Sequence, residues 1–338
     1  MRRWLALCLA LVLLSGCTPA PGQAAQTVER TFFAMDTVMN VRIYTGGSEA
    51  LLDAAEDRVR ELEGLLSVTD ENSEIYALNR DGTAALSGDA AGLLANALDM
   101  CARTGGTLDV TVYPVLRAWG FTTGEYTVPD RETIEELLTR VDYTQVTLDE
   151  AAGTAALPDG VKIDLGSVAK GNTGDTLAGL LKSRGVESAL LDLGGNIQAI
   201  GAKPDGTPWR IGVQDPEGDG YIGVVSVSDK AVVTSGGYER YFEQDGVRYW
   251  HIIDPATGTP ARSGLASVTV IGDSGLLCDA LSTALFVMGL DGALAHWWEY
   301  RDFEAVFIAD DGSVTVTAGL EDSFALSQTD RALTVARP

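Results

Sequence analysis

Between residues 48 and 66 the apolar positions recur with a helical period. Leu51, Leu52, Ala55, Val59, Leu62 and Leu66 share one face and acidic residues the other, which predicts an amphipathic helix. A second helix is predicted over 89–104, capped by Asp89 and stopped by Gly105-Gly106. Further helices are predicted at 129–140, 168–184, 276–288 and 291–300. Residues 28–44 are rich in β-branched and aromatic side chains and predict strand, turn, strand, centred on Ala34-Met35-Asp36-Thr37. Short strands are expected near 145–148, 154–157 and 161–165, and another over 188–193 that ends in Gly194-Gly195-Asn196. Strand signals dominate from 197 to 270. Within them, 238–242 and 247–253 flank a Gln244-Asp245-Gly246 turn, a hairpin signature. A last hairpin is expected at 303–308 and 313–317. Helices mixed with mostly antiparallel strands place the chain in the α+β class.

The amino terminus breaks this pattern. Arg2 and Arg3 precede an apolar run over 4–14 and then Ser15-Gly16-Cys17. The run is too short for a permanent membrane helix and has the layout of a secretory signal. Its ending resembles a bacterial lipobox. The expected division is a signal peptide over 1–16, a lipidated Cys17 with a flexible tether over 17–27, one large domain over 28–320, and a tail over 321–338. An exported lipoprotein follows, anchored to the outer face of the cytoplasmic membrane or held in the periplasm. Past Cys17 only Cys101 and Cys278 remain, each within an apolar helical pattern. Buried free thiols are the expectation, with a single disulfide between them left open.

Charge narrows the partners. The chain carries 24 basic and 48 acidic residues, and loss of Arg2 and Arg3 takes the net charge from −24 to −26. That balance argues against nucleic acid and against anionic lipid surfaces. An anionic substrate would have to be met by helix N-termini, a local lysine or a divalent cation.

Three stretches could carry chemistry. One of only two histidines, His251, follows the aromatic hairpin and precedes Asp254-Pro255 and a Thr257-Gly258 turn. Imidazole titrates nearest neutrality, which suits proton transfer, although a strand-end backbone could equally satisfy it. In 162–171 a strand is expected to enter a helix through Gly166 and Ser167, and the helix start with Lys170 would suit a phosphate. Asp279 and Thr283 are four residues apart, so they share a helix face and offer oxygen ligands for Mg²⁺. By contrast, the G-x-G-x-x-G match at 218–223 follows an Asp-Pro turn and leads into a strand, the wrong context for a dinucleotide site.

The order of motifs adds a resemblance. Met35-Asp36-Thr37, Asn72-Ser73-Glu74-Ile75 with Leu78-Asn79, Leu108-Asp109-Val110-Thr111 with Trp119-Gly120-Phe121, and 164–171 with Asp175 come first. Leu193 to Asn196, 209–216, Thr234-Ser235-Gly236 with Tyr238, 251–258 and 279–283 follow. Over roughly 30–318 this succession resembles the ApbE family of FAD:protein FMN transferases. The resemblance implies a T-fold-like architecture with an FAD cleft between two sub-structures. It implies Mg²⁺-dependent transfer of FMN from FAD to a Thr or Ser hydroxyl of an acceptor flavoprotein, with release of AMP. It places metal ligands at the Asp279 and Thr283 side chains and the Ser167 carbonyl. FAD contacts fall on Met35, Leu108, Asp109, Val110, Asp164, Lys170 and Ile253, and His251 becomes the base. Thr69, Asn172 and Gly237 depart from the residues the family commonly carries there. Two other readings share these residues: a Mg²⁺-dependent FAD pyrophosphatase, and a lipoprotein that binds FAD without chemistry.

Overall fold

Ala34 pairs with Thr37 across a two-residue turn in which Met35 (φ 47°) and Asp36 (φ 59°) are both left-handed. Such a turn matches the twist of the strands it joins. The hairpin of β1 (Val28–Ala34) and β2 (Thr37–Thr45) starts a nine-stranded sheet. β3 (Ser188–Leu193), β4 (Asn196–Ile200), β5 (Ala231–Gly236), β6 (Leu265–Gly272), β7 (Glu304–Ala309), β8 (Val314–Thr317) and β9 (Leu333–Ala336) complete it, in chain order. Each neighbouring pair is antiparallel except the last, in which β9 runs parallel to β8. This computed structural model describes residues 27–328 and 331–337. The expected signal, the lipidated Cys17 and the tether up to residue 26 lie outside the described residues.

Alternation along the strands separates two cores. Ala231 and Val233 of β5, and Ala305 and Phe307 of β7, face the helices; Val232, Val306 and Ile308 face the other way. The helical side holds α1 (Glu49–Leu66), α2 (Glu74–Asp81), α3 (Gly88–Arg103), α6 (Gly166–Ser183) and α7 (Gly275–Tyr300). The reverse side is covered by a three-stranded sheet of Trp209–Gln214, Tyr221–Val227 and Phe324–Leu326. The short helices α4 (Tyr113–Ala118) and α5 (Arg131–Leu138) pack with Ile253 and the aromatic hairpin in a separate cluster. Gly218 and Gly220 lie in the turn between two strands, as the misplaced glycine motif implied.

The helix pair α6–α7 is the tightest contact. A Cβ on Gly171 would lie 2.1 Å from the Gly275 carbonyl oxygen and 2.7 Å from the Asp279 Cβ, so only glycine fits. Asp175, one turn further along α6, accepts hydrogen bonds from the Gly275 and Leu276 N–H groups (2.6 and 3.0 Å) and from the Ser274 hydroxyl (2.8 Å). A carboxylate of one helix thereby caps the positive end of the other. α7 breaks at Gly289 (φ 72°), giving the two helices expected there, and Ser263 Oγ donates to the Phe286 carbonyl near the break. Leu281, Leu285 and Phe286 are fully buried, so this apolar helix serves the core. Cys101 and Cys278 are buried free thiols.

Several expectations change. Residues 161–165 form no strand. Their hydrogen bonds go to a side chain: Asn79 Nδ2 donates to the Ile163 carbonyl (2.8 Å) and Asn79 Oδ1 accepts from its N–H (2.7 Å). The Asp164 N–H donates to the Val110 carbonyl (2.8 Å). Ser87, rather than Asp89, caps α3, because its hydroxyl accepts from Ala90 N–H. The hairpin strands are Tyr241–Gln244 and Val247–Trp250; the chain turns through Gly237 to Arg240 first, and His251 lies just beyond the second strand. The segment past 320 supplies Phe324–Leu326 and β9, so the hairpin of β7 and β8 is not the last pairing. Arg331 and Gln328 bind the buried Asp215 and hold that segment down.

Two substitutions test this frame by denaturant unfolding. Gly171→Ala should cost roughly 1–3 kcal/mol or more by overpacking, whereas Gly179→Ala, with open space at its Cβ, should be neutral or stabilising. Equal midpoints for the two variants would contradict the close contact. Asn79→Ala should cost about 1–3 kcal/mol for each Ile163 backbone group left unpaired in the interior, and wild-type stability would contradict that clamp.

Candidate active site

Lys170 lies at the centre of the arrangement. It stands one turn into α6, whose first residues have no side-chain cap at Leu165. Its ammonium acts electrostatically on Asp164, Glu239, His251 and Asp279, which come from four separate segments. The fold therefore gathers the loop before α6, the turn after β5, the end of the aromatic hairpin and the start of α7 around one cation.

Asp279 is buried, and its Oδ2 accepts from the Gly171 N–H (2.8 Å). Desolvation raises its pKa, while Lys170, Asn196 and the Gly171 N–H pull the other way. Asn196 stands beside it, although its Nδ2 completes no hydrogen bond. In a continuous helix the Gly171 N–H would serve the Ser167 carbonyl. Asp279 shares that donor, and the Ser167 carbonyl has a second lone pair for another ligand. Thr283 follows one turn after Asp279, and Ser235 Oγ lies 3.4 Å from its hydroxyl and 2.8 Å from Ser282 Oγ. Among the described residues no group of three or more His, Cys, Asp or Glu could hold a metal. One carboxylate, one hydroxyl and one carbonyl are instead the hard oxygen donors that suit Mg²⁺.

His251 is half-buried. Its N–H donates to the Arg240 carbonyl (3.1 Å), and its Nδ1 lies 3.3 Å from the same oxygen. A carbonyl can only accept, so the contact favours the tautomer with hydrogen on Nδ1 and a free lone pair on Nε2. Desolvation holds the imidazole pKa below its usual range even though one ring edge meets solvent; Arg240 and Lys170 add to this. The Phe121 ring lies edge-on to the imidazole at 6.3 Å, and Trp119 Nε1 donates to the Gly258 carbonyl (2.8 Å). The Trp119-Gly120-Phe121 stretch thus props the chain on either side of His251.

The residues expected to touch FAD divide into two sets. Asp164 and Lys170 stand on either side of the start of α6, where Asp164 Oδ1 accepts from the Gly166 N–H (2.7 Å). Met35 joins them through its turn: its N–H donates to Glu63 (2.6 Å), its sulfur faces Thr173 of α6, and Asp36 raises the pKa of Asp164. Desolvation is the larger cause of that rise in Asp164, offset by the Gly166 N–H, Arg240 and Lys170. Leu108, Asp109, Val110 and Ile253 are buried. The Asp109 carboxylate accepts from Thr111 N–H and Oγ1 and from Tyr143 N–H, so it braces its own loop. Only the Val110 carbonyl ties that loop to Asp164. At Gly237 the Trp250 indole occupies the space a side chain would need, 3.0 Å from an ideal Cβ.

Asn79 and Asp175 belong to motifs visible in the sequence, but their roles as clamps were not. Glu239 and Arg240 were missed altogether. Glu239 is exposed on one side, yet desolvation, reinforced by Asp279 and opposed by Lys170, raises its carboxyl above the usual range. The signal available was their place between a glycine turn and the aromatic hairpin.

Comparison with known proteins identifies the family. The model of the ApbE family matches residues 35–307. The FAD:protein FMN transferase of Treponema pallidum is 36% identical over 334 residues, 92% of each chain. That of Vibrio cholerae is 34% identical, covering 87% of this chain and 90% of its own. Among solved structures, an ApbE protein of Thermotoga maritima superposes with a TM-score of 0.81 at 35% identity, covering 86% of this chain and 96% of its own. The flavin transferase ApbE of Vibrio cholerae gives 0.80 at 29% identity, covering 88% and 99%. The chain belongs to the ApbE family.

Proposed function

We infer that this chain, a flavin transferase of the ApbE family, moves FMN from FAD to a Thr or Ser hydroxyl of an acceptor flavoprotein and releases AMP. The observation that carries this reading is the contact of α6 with α7, which sets Asp279 on the Gly171 N–H (2.8 Å) beside Lys170 with Thr283 one turn on, while the Arg240 carbonyl fixes the His251 ring. An ammonium, the positive end of a helix dipole and a neutral base together suit an anionic diphosphate and a hydroxyl nucleophile. Mg²⁺ would sit on Asp279, Thr283 and the Ser167 carbonyl and, when bound, would neutralise charge on the diphosphate.

The residues supply positioning and one proton transfer. Lys170 and the start of α6 hold the phosphates. The acceptor oxygen forms a bond to the flavin-side phosphorus as the bond from that phosphorus to the AMP oxygen breaks. Nε2 of His251 receives the hydroxyl proton, and AMP leaves with the bonding electrons. Burial of Leu108, Asp109, Val110 and Ile253 makes them the rigid floor of the cleft rather than groups that touch the reacting atoms. Lipidation at Cys17 would hold the enzyme at the outer membrane face, near exported acceptors. If water replaces the acceptor hydroxyl, the same site is an FAD pyrophosphatase. The neutral His251 base argues against a carrier without chemistry.

Co-expression with an acceptor domain, read by in-gel flavin fluorescence, tests transfer: a fluorescent band supports it, whereas free FMN without a band supports the pyrophosphatase. His251→Ala should retain FAD binding and slow transfer about 10²–10⁴-fold. Weakened FAD binding with an unchanged rate at saturating FAD would assign the histidine a structural role. Because the imidazole pKa is depressed, the base form persists as pH falls below 6.5, so the acid limb of kcat/KM should lie under that value. A limb above 6.5 would remove His251 as base. Chelation of divalent cations should stop FAD turnover and added Mg²⁺ should restore it, with Asp279→Ala insensitive to the addition. Full turnover in chelator would refute the metal assignment.

A further inference from the structure

The turn between β5 and the aromatic hairpin holds a second cation that the flavin-transfer reading leaves unused. Arg240 is solvent-exposed, and its Nη2 donates to the Phe121 carbonyl (2.8 Å). Among the described residues it forms no salt bridge, a state it shares with Arg117, Arg184, Arg210, Arg262 and Arg301; what distinguishes it is its place, bonded to the carbonyl of Phe121, whose ring lies 6.3 Å from the His251 imidazole. A guanidinium has five N–H donors, so one contact leaves most of them available. The backbone of Arg240 also holds the base, since its carbonyl meets both the His251 N–H and Nδ1.

The two cations stand on different elements. Lys170 adjoins Gly171, whose N–H donates to Asp279 of α7 (2.8 Å). Arg240 meets His251 through its carbonyl, and its guanidinium meets the carbonyl of Phe121, the ring of which faces the imidazole. Lys170 thus lies on the side of α7, and Arg240 on the side of the base.

We propose that Arg240 is a substrate-binding residue that grips the attacked, flavin-side phosphate of FAD beside His251, while its carbonyl aims the imidazole at the incoming hydroxyl. A guanidinium presents paired donors that match two phosphate oxygens, which a lysine cannot do. Held this way, the phosphorus is fixed relative to the base, and that alignment is where phosphoryl transfer gains most of its rate. The assignment rests on the flavin-transfer reading.

Binding of FAD and of riboflavin, the same ring without phosphate, separates substrate contact from scaffolding. Flavin fluorescence titrations on wild type, Arg240→Gln and Arg240→Lys are the measurement. Arg240→Gln should weaken FAD binding by about tenfold or more and leave riboflavin binding unchanged, with Arg240→Lys restoring part of the loss. In turnover, the acid limb of kcat/KM should move to higher pH in Arg240→Gln. His251 faces Arg240, Lys170 and the Phe121 ring, and losing one of the two cations raises its pKa. Equal weakening of FAD and riboflavin would mean that Arg240 only props the hairpin, and unchanged FAD binding would also overturn the proposal. If wild type turns FAD over and Arg240→Gln matches it, this assignment alone fails. If wild type with acceptor and Mg²⁺ leaves FAD intact, the flavin-transfer reading fails and takes this one with it.

Discussion

Everything at the site depends on how closely α6 approaches α7. Where Gly171 meets Gly275, the absence of a side chain lets two backbones touch, and Asp279 can then accept the Gly171 N–H. A carboxylate buried among helix atoms is costly unless something compensates it. Here the compensation is a backbone donor, a neighbouring ammonium and, in the proposed holoenzyme, a divalent ion. Asp175 fixes the same contact from the other side by capping α7 with α6. Helix register, the placement of Asp279 and Thr283 and the position of Lys170 therefore follow from one interface.

The acidic composition gives that interface its electrostatic meaning. Most basic residues are spent on exposed ion pairs, which contribute little stability individually. Lys170 and Arg240 form no such pair among the described residues. Because acidic residues outnumber basic ones two to one, an anion approaching the protein meets repulsion over much of the surface, and Lys170 and Arg240 supply local attraction near His251 and Asp279. The low basicity of His251 comes first from desolvation, and the cations Arg240 and Lys170 disfavour an imidazolium further.

Much of this was legible in the chain. The helix over 48–66, the Met35-Asp36 turn and the break inside α7 follow from local periodicity and glycine placement, and local rules report them well. Asp279 and Thr283 share a helix face, as four-residue spacing requires. What failed was non-local. Residues 161–165 have strand composition, but a strand needs a partner, and the partner is the Asn79 amide from 84 positions away. Leu333–Ala336 is short, exposed and partly polar, so nothing local marks it as the edge of the main sheet. Arg240 sits in a turn whose composition suits any surface loop. Only the folded arrangement brings it beside His251.

The order of the sheet has a consequence for how the protein is made. Neighbouring strands follow chain order, but β2 and β3 are separated by residues 46–187, which contain six of the seven helices. Closing so long a loop is slow, and the helical excursion has to condense before the two strands can meet. The Asp175 cap then waits for Ser274 to Leu276, nearly a hundred residues further on. An emerging chain thus builds its scaffold first and acquires the groups around Lys170 last. A partly folded molecule would lack Asp279 and the set histidine together, and so would hold a flavin diphosphate poorly until the chain is nearly complete.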